Sequence, residues 1–189
     1  FFSKKILNQN NILKKAKVIT SIAMFYDLED PVTFASDVYD SLDDDGVWVF
    51  EQSYIYSMIR TNSFDTICHE HLEFYSFKQI SWILKKIGFK TVDIEINDTN
   101  GGSILIIASK KNSAITPNNN NISKILKYEE TNPIDSNTFV DFRNNINNEK
   151  DKFIEFLIES KKNSKKVFGL GASTKGNVLL QHYKIDSDL

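Results

Sequence analysis

The side chains best suited to chemistry are concentrated in residues 64–76. This segment holds two of the three histidines and the only cysteine, in the order Cys68, His69, Glu70, His71. A neutral imidazole can accept a proton near neutral pH, and a neighbouring carboxylate can fix its tautomer or raise its basicity. The segment therefore predicts general base catalysis, with Glu70 as the acidic partner of a histidine.

Two other uses of this segment stay open. Histidine, cysteine and glutamate are metal ligands, but adjacent residues of an extended segment point to opposite sides, which disfavours a shared metal ion. The other alternative is a hydrogen-bonded histidine pair that only holds the loop in place. The catalytic interpretation requires the proton-accepting histidine to face a cavity that a ligand can enter.

Two glycine-containing segments could hold a ligand. The Asn-Gly-Gly-Ser sequence at residues 100–103 would let backbone approach a ligand closely, or would simply form a hairpin turn. Residues 169–177 have the strand, loop and helix context in which glycines and a helix N-terminus hold phosphate oxygens. They lack the Gly-Lys-Ser/Thr ending of a P-loop, and a dinucleotide-binding loop would fit their spacing nearly as well.

Apolar periodicity predicts the elements that position these segments. Residues 17–25 are rich in β-branched side chains and predict a central parallel strand buried on both faces. Asp30 and Pro31 suit the first positions of a helix, which we expect to end at residues 43–46. Residues 47–50 predict a second buried strand, so that strand, helix and strand form a right-handed crossover unit.

The next elements follow the chemical segment. Ser76 and Gln79 have the spacing of a capping box, and Gly88 is a natural end for the helix that they begin. Residues 89–96 and 103–109 predict an antiparallel strand pair at a sheet edge.

The composition changes after residue 110. Residues 111–138 include Pro117 and four consecutive asparagines and predict a linker with a short helix, although a long surface loop within one domain would also fit. A long amphipathic helix is predicted from residue 139 to residue 157. Residues 167–171 predict a strand that leads into the second glycine segment, so a second α/β domain is expected to start here.

Composition limits the classes of partner. With 41% hydrophobic residues among 189, the chain can bury a core. The net charge of -2 gives no reason to expect nucleic acid or an anionic membrane surface. Apolar runs stay far below the roughly 20 residues that cross a bilayer, and no signal segment opens the chain, so we expect a cytoplasmic protein. The oligomeric state is not predicted.

Four motifs follow one another in the order of a known enzyme family. They are Glu51-x-x-Tyr54, then Phe64-Asp65-Thr66-x-x-His69-Glu70-His71-Leu72 with Tyr75-Ser76, then Asn100-Gly101-Gly102-Ser103, then Gly169-x-Gly171-Ala172-Ser173-x-Lys175-Gly176-Asn177. Together they resemble the S-adenosylmethionine-dependent sugar C-methyltransferases, of the nucleotide-sugar C-3-methyltransferase type.

The resemblance implies an α/β fold in three parts. Residues 1–110 would be the C-terminal half of a Rossmann-like methyltransferase sheet, and residues 111–138 the linker. Residues 139–189 would begin a second Rossmann-like domain that binds the sugar nucleotide. Because the chain starts at Phe1 rather than Met and stops soon after a glycine-rich loop, we expect it to be an internal fragment of a longer protein.

In this family, the resemblance implies, a 4-keto sugar carried by thymidine diphosphate loses a proton next to its ketone. The resulting carbanion attacks the methyl group of S-adenosylmethionine. His71 matches the catalytic base, Glu70 matches an active-site carboxylate, and His69 supports the loop. Such a reaction also needs stabilisation of the developing oxyanion.

The resemblance also assigns binding residues. Ser21, Ala23 and Met24 would line the methyl-donor pocket. The substrate-binding residues would be Tyr54, Cys68, His69, Asn100, Gly101, Gly102, Ser103, Gly169, Gly171, Ser173, Thr174, Lys175 and Asn177. Many members carry tyrosine at the position of Cys68, and a thiol is a weaker donor, so the sugar is left open.

Most of the donor site and a zinc-binding cysteine cluster would precede Phe1, so no metal is expected in this chain. These residues alone are expected to bind S-adenosylmethionine poorly and to be inactive. Two alternatives remain open. One is an NAD-dependent sugar-nucleotide oxidoreductase or epimerase that uses residues 169–176 for its cofactor. The other is a non-catalytic relative that binds nucleotide sugars.

Overall fold

The computed structural model describes residues 2–12, 14–171 and 173–185. Ala172 of the last predicted motif and the final residues 186–189 lie outside these ranges. The helices and strands, in chain order, are α1 Lys4–Gln9, β1 Ala16–Ile22, α2 Pro31–Ser41, β2 Leu42–Ser53, α3 Ile55–Arg60, α4 Phe77–Ile87, β3 Phe89–Asn97, β4 Ser103–Lys110, α5 Asn119–Thr131, α6 Ser136–Lys162 and α7 Thr174–Tyr183.

The chain divides into two compact units. Unit 1 comprises Phe1–Ser57 and Leu72–Pro133, and unit 2 comprises Met58–His71 and Ile134–Leu189. No helix within the described ranges has both the length and the apolar character needed to cross a bilayer.

Unit 1 contains a four-stranded mixed sheet in the order β1-β2-β4-β3. β1 and β2 run parallel and are joined through α2, which confirms the predicted crossover unit. β4 lies antiparallel to both β2 and β3, and β3 forms the edge, as predicted for a strand pair. The α/β fold expected from the sequence is therefore confirmed.

The helix starts and stops that the sequence predicts in unit 1 are present. Asp30 caps α2 by accepting a hydrogen bond from the Thr33 amide at 3.0 Å. Ser76 and Gln79 form the reciprocal capping box of α4. Gly88 ends that helix with φ +109°, a left-handed conformation that a glycine adopts without steric cost.

The core of unit 1 lies between the sheet and helices α2 and α4. Trp48 and Phe50 point to this side of β2, stacked at 4.2 Å between ring centroids, and Phe25 packs edge-on against Trp48 at 5.7 Å. The indole nitrogen of Trp48 donates to the buried Ser21 hydroxyl at 3.1 Å, so its polar atom is satisfied.

One predicted helix end was wrong. Residues 43–46 were expected to close α2, but β2 already begins at Leu42. Asp43 accepts a hydrogen bond from Lys17 Nζ of β1 at 2.7 Å, and Asp44 accepts one from Lys110 Nζ of β4 at 2.8 Å. These cross-strand charge pairs compensate for the low strand propensity of aspartate.

Two strand predictions also need correction. β1 was expected to be central and buried on both faces, but among the described strands it pairs only with β2, and Val18 is 58% exposed. Residues 167–171 form no strand, and Phe168 is 84% exposed. A strand needs a neighbour for its backbone hydrogen bonds, and the described part of unit 2 contains none.

Unit 2 is helical in its described part. The predicted long amphipathic helix is confirmed as α6, which spans 27 residues and buries Phe142, Ile146 and Leu157. The Tyr183 ring of α7 packs against Phe153 of α6, with ring centroids 5.9 Å apart.

Candidate functional site

The histidine-containing loop is anchored within unit 2 by Phe64. The Phe64 ring is buried and packs against His182 and Tyr183 of α7, with ring centroids 5.1 Å and 5.6 Å apart. Thr66 Oγ1 donates to the Ser63 carbonyl at 2.8 Å, which closes the turn that follows. The Phe64 packing and this hydrogen bond therefore hold residues 67–71 next to α7.

Glu70 connects this loop to the start of α7. Thr174 Oγ1 donates to Glu70 Oε1 at 3.0 Å, and Nδ1 of His69 lies 3.3 Å from Glu70 Oε2. The Thr174 hydrogen bond, with smaller contributions from His69 and Cys68, holds the pKa of Glu70 below its ordinary value. Glu70 is therefore a carboxylate at neutral pH.

A cavity of about 600 Å³ lies between the loop and one face of α7. It is lined by Ile67, Cys68, His69, Thr174, Asn177, Val178, Gln181 and His182. Four residues predicted to bind substrate from two distant segments thus meet at one cavity: Cys68, His69, Thr174 and Asn177.

His71 does not line this cavity. It is half-buried, and its backbone amide donates to the Cys68 carbonyl at 3.2 Å. The ion-pair contact that Glu70 makes at 3.3 Å is with His69. This cavity therefore does not supply the ligand access that the catalytic interpretation requires of its histidine, and the role of His71 as the base, with Glu70 as its partner, stays a prediction.

Sequence reasoning missed half of the cavity wall. Ile67, Val178, Gln181 and His182 line it but were not predicted as site residues. Positions 174, 177, 178, 181 and 182 lie on one face of a helix, because steps of three and four residues return to the same side. That periodicity was the available signal once Thr174 was assigned to the helix start.

The glycines just before α7 and in its first turn are not confined by neighbouring atoms. A Cβ atom built at Gly169, Gly171 or Gly176 would meet nothing within 4 Å. Ser173 is the N-cap residue of α7, and Lys175 lies half-buried in its first turn. The three glycines are thus not explained by packing within the described chain.

Tyr54, predicted to bind substrate, lies in unit 1 and uses its hydroxyl there. It is 2% exposed and donates to Glu129 Oε1 of α5 at 2.9 Å. Burial, followed by the nearby Glu129 carboxylate, raises the pKa of Tyr54 well above its ordinary value. The same carboxylate accepts hydrogen bonds from the backbone amides of Phe77 at 2.6 Å and Lys78 at 3.0 Å, and so caps α4.

Residues 100–103 form a tight turn in unit 1. Gly102 has φ +121°, and a Cβ there would lie 2.2 Å from Ser57 Cβ. Ser103 is buried and its hydroxyl donates to the Thr99 carbonyl at 2.9 Å, whereas Asn100 is exposed with φ +54°. Gly102 thus allows this turn to approach α3 closely. The substrate contacts assigned to this turn stay predictions.

Ser21, Ala23 and Met24 lie at the carboxyl end of β1. The Ser21 hydroxyl accepts the Trp48 indole hydrogen bond in the core. Ala23 has φ +51°, and its amide donates to the Glu51 carbonyl at 2.8 Å. Non-glycine residues in this conformation cost about 1–3 kcal/mol and cluster at ligand sites, and ligands of open α/β sheets bind beyond the carboxyl ends of strands. The assignment of Ser21, Ala23 and Met24 to a donor pocket stays a prediction.

Two family models match consecutive parts of the chain. Residues 3–94 match a model described as a methyltransferase domain, and residues 98–189 match one described as a C-methyltransferase C-terminal domain. Both parts of the chain are thus similar to methyltransferase domains, and the second is similar to the C-terminal domain of C-methyltransferases.

A curated relative is C-methyltransferase NovU of Streptomyces niveus, which is 27% identical over 139 residues. The match covers 72% of this chain and 32% of NovU, so the chain spans about a third of the relative's length. Among solved structures, a crystal structure of M1.HpyAVI aligns with a TM-score of 0.38 and 14% identity, over 59% of this chain and 51% of that one.

Proposed function

We propose that this chain is part of an enzyme that methylates a carbon of a nucleotide-activated 4-keto-deoxysugar, carried by thymidine diphosphate. The observation that carries the proposal is the cavity of unit 2, where an imidazole, a thiol, a hydroxyl and an amide from the predicted motifs converge beside the ionised Glu70. The match of residues 98–189 to the C-methyltransferase C-terminal model, and the similarity to NovU, support it.

The proposed reaction begins with proton removal from the carbon next to the ketone. His71 accepts this proton, and the electron pair left on carbon forms the new bond to a methyl group. S-adenosylmethionine, when bound, supplies that methyl as an electrophile and leaves as a thioether. Glu70 holds the His69 imidazole in its orientation through the contact of Oε2 with Nδ1 at 3.3 Å.

We assign the activity to the complete protein rather than to these residues alone, because the chain spans 32% of NovU. Ser21, Ala23 and Met24 at the end of β1 would then contribute one edge of the donor pocket. The rest of that pocket would come from sequence outside this chain.

The oxidoreductase alternative is less well supported. A nicotinamide-binding loop follows directly after a strand of a βαβ unit. The described residues 165–171 have no regular secondary structure, so this context is not present before α7.

The proposed base is tested by His71→Gln, which keeps a polar side chain of similar size but cannot accept the proton. With the complete protein and a thymidine-diphosphate 4-keto-deoxysugar, we expect methyl transfer to fall by about 10²-fold or more, as is usual for loss of a general base. Mass spectrometry of the sugar nucleotide would measure the transfer, and calorimetry should show nearly unchanged affinity for it.

His69→Gln is the matched control, because it removes the neighbouring imidazole of the same loop. Because His69 lines the cavity, we expect this variant to bind the sugar nucleotide more weakly, while its turnover at saturating sugar nucleotide falls less than that of His71→Gln. A fully active His71→Gln variant, or an equally large loss of saturated turnover in both variants, would contradict the assignment of the base.

A further inference from the structure

We propose that Thr174 is a positioning residue: its hydroxyl, at the start of α7, holds the Glu70 carboxylate in place and does not bind the diphosphate of the ligand. The proposal rests on the proposed function only in that it takes Glu70 to act in methyl transfer. It gives Thr174 a different role from the phosphate contact that its glycine-rich context suggests.

Both carboxylate oxygens of Glu70 have a partner in unit 2. Oε1 accepts the Thr174 hydroxyl at 3.0 Å, and Oε2 lies 3.3 Å from Nδ1 of His69. Thr174 is separated from Glu70 by 104 positions in the sequence, so this hydrogen bond joins two of the predicted motifs directly. It fixes the carboxylate beside His69 and Thr174, which both line the cavity.

The partial charge at the start of α7 also supports a positioning role for Thr174. Thr174 is the first residue of α7, a helix of ten residues, and the N-terminus of a helix carries a partial positive charge that stabilises an anion. Glu70 already supplies that anion. A diphosphate placed at the same point would be repelled by the carboxylate, so the Thr174 hydroxyl is not its ligand.

The groups that act on Glu70 are few and can be controlled in an experiment. The Thr174 hydroxyl is the strongest influence that lowers the pKa of Glu70, and the remaining side-chain influences are His69 and the Cys68 thiol. Loss of the hydroxyl removes the largest of these, while His69 and Cys68 stay in place.

The test compares Thr174→Val, which has the same shape without the hydroxyl, with Thr174→Ser, which keeps it. In the complete protein, we expect Thr174→Val to raise the pKa of Glu70, followed by carboxyl NMR titration. We also expect kcat to fall about tenfold, the lower end for losing a hydrogen bond to a partly exposed charge. Thr174→Ser should restore both values.

Affinity for thymidine diphosphate, measured by calorimetry, separates the two roles of Thr174. If Thr174 is a positioning residue, the affinity of Thr174→Val for thymidine diphosphate stays within about twofold of wild type. If Thr174 binds phosphate, that affinity falls about tenfold. An unchanged Glu70 titration, an unchanged kcat, or a loss of diphosphate affinity would each overturn the proposal. Because the titration needs no turnover, it still decides the Thr174–Glu70 contact if the proposed function fails.

Discussion

Gly102 shows how one residue can determine the course of the chain in unit 1. Its φ of +121° is disfavoured for any side chain, and the space beside it is already filled by Ser57 of α3. Its carbonyl accepts a hydrogen bond from the Tyr54 amide at 3.2 Å, so the turn is held to the residue that precedes α3. A glycine at this position is required by internal packing.

Gly102→Ala is therefore expected to destabilise unit 1 by roughly 2–4 kcal/mol, through backbone strain and the collision with Ser57. Chemical denaturation monitored by tryptophan fluorescence would measure this loss. Adding Ser57→Gly removes the atoms that the new methyl group meets at 2.2 Å and should recover part of it. If the double variant is no more stable than Gly102→Ala, the collision is not the cause.

Features that depend on neighbouring residues could be predicted from the sequence. The Ser76 capping box, the Asp30 cap and the Gly88 stop each involve partners within four residues along the chain. Gln181 and His182 were not predicted because their role depends on α7 packing against Phe64, which lies more than a hundred positions away in sequence. A helical face can be read from a sequence, but the surface that it meets cannot.

At the scale of elements, α5 is held to unit 1 by Glu129. Its buried carboxylate receives the Tyr54 hydroxyl and two backbone amides of α4. The Tyr56 hydroxyl donates to the Glu129 carbonyl at 3.2 Å. A segment predicted as a linker with a short helix thus contributes a helix whose polar contacts tie α3 and α4 together. The linker boundaries themselves stay a prediction.

Glu129→Ala would leave a buried hydroxyl and two helix amides without this acceptor. We expect a loss of roughly 2–4 kcal/mol in unfolding free energy, since unsatisfied buried donors are costly. Glu129→Gln keeps one carbonyl oxygen and should lose less than half as much. Equal stability of Glu129→Ala and wild type in urea unfolding would show that these contacts contribute nothing.

The elements predicted wrongly all depend on strand pairing. The apolar run of β1 was interpreted as central, yet its position at the end of the described sheet follows from which strands pair with it. Three aspartates were interpreted as a helix end, but Lys17 and Lys110 on adjacent strands keep Asp43 and Asp44 in β2. Both outcomes require knowledge of partners distant in sequence.

At the scale of the whole molecule, the histidine-containing loop is assigned to the unit formed by the C-terminal helices. Residues 58–71 lie within the range of the methyltransferase domain model but form one compact unit with residues 134–189. The cavity is built from both of these segments. The proposed chemistry thus depends on two motifs that lie far apart in the sequence and come together in one unit.

In the proposed function His71 removes a proton from carbon, and isotope exchange tests this step without requiring methyl transfer. The complete protein, incubated in D₂O with a thymidine-diphosphate 4-keto-deoxysugar and S-adenosylhomocysteine in place of the donor, should exchange the hydrogen next to the ketone for deuterium, as followed by NMR. His71→Gln should slow this exchange by about 10²-fold or more, while His69→Gln, at saturating sugar nucleotide, should slow it less than His71→Gln does. Exchange by His71→Gln at the wild-type rate would contradict the account.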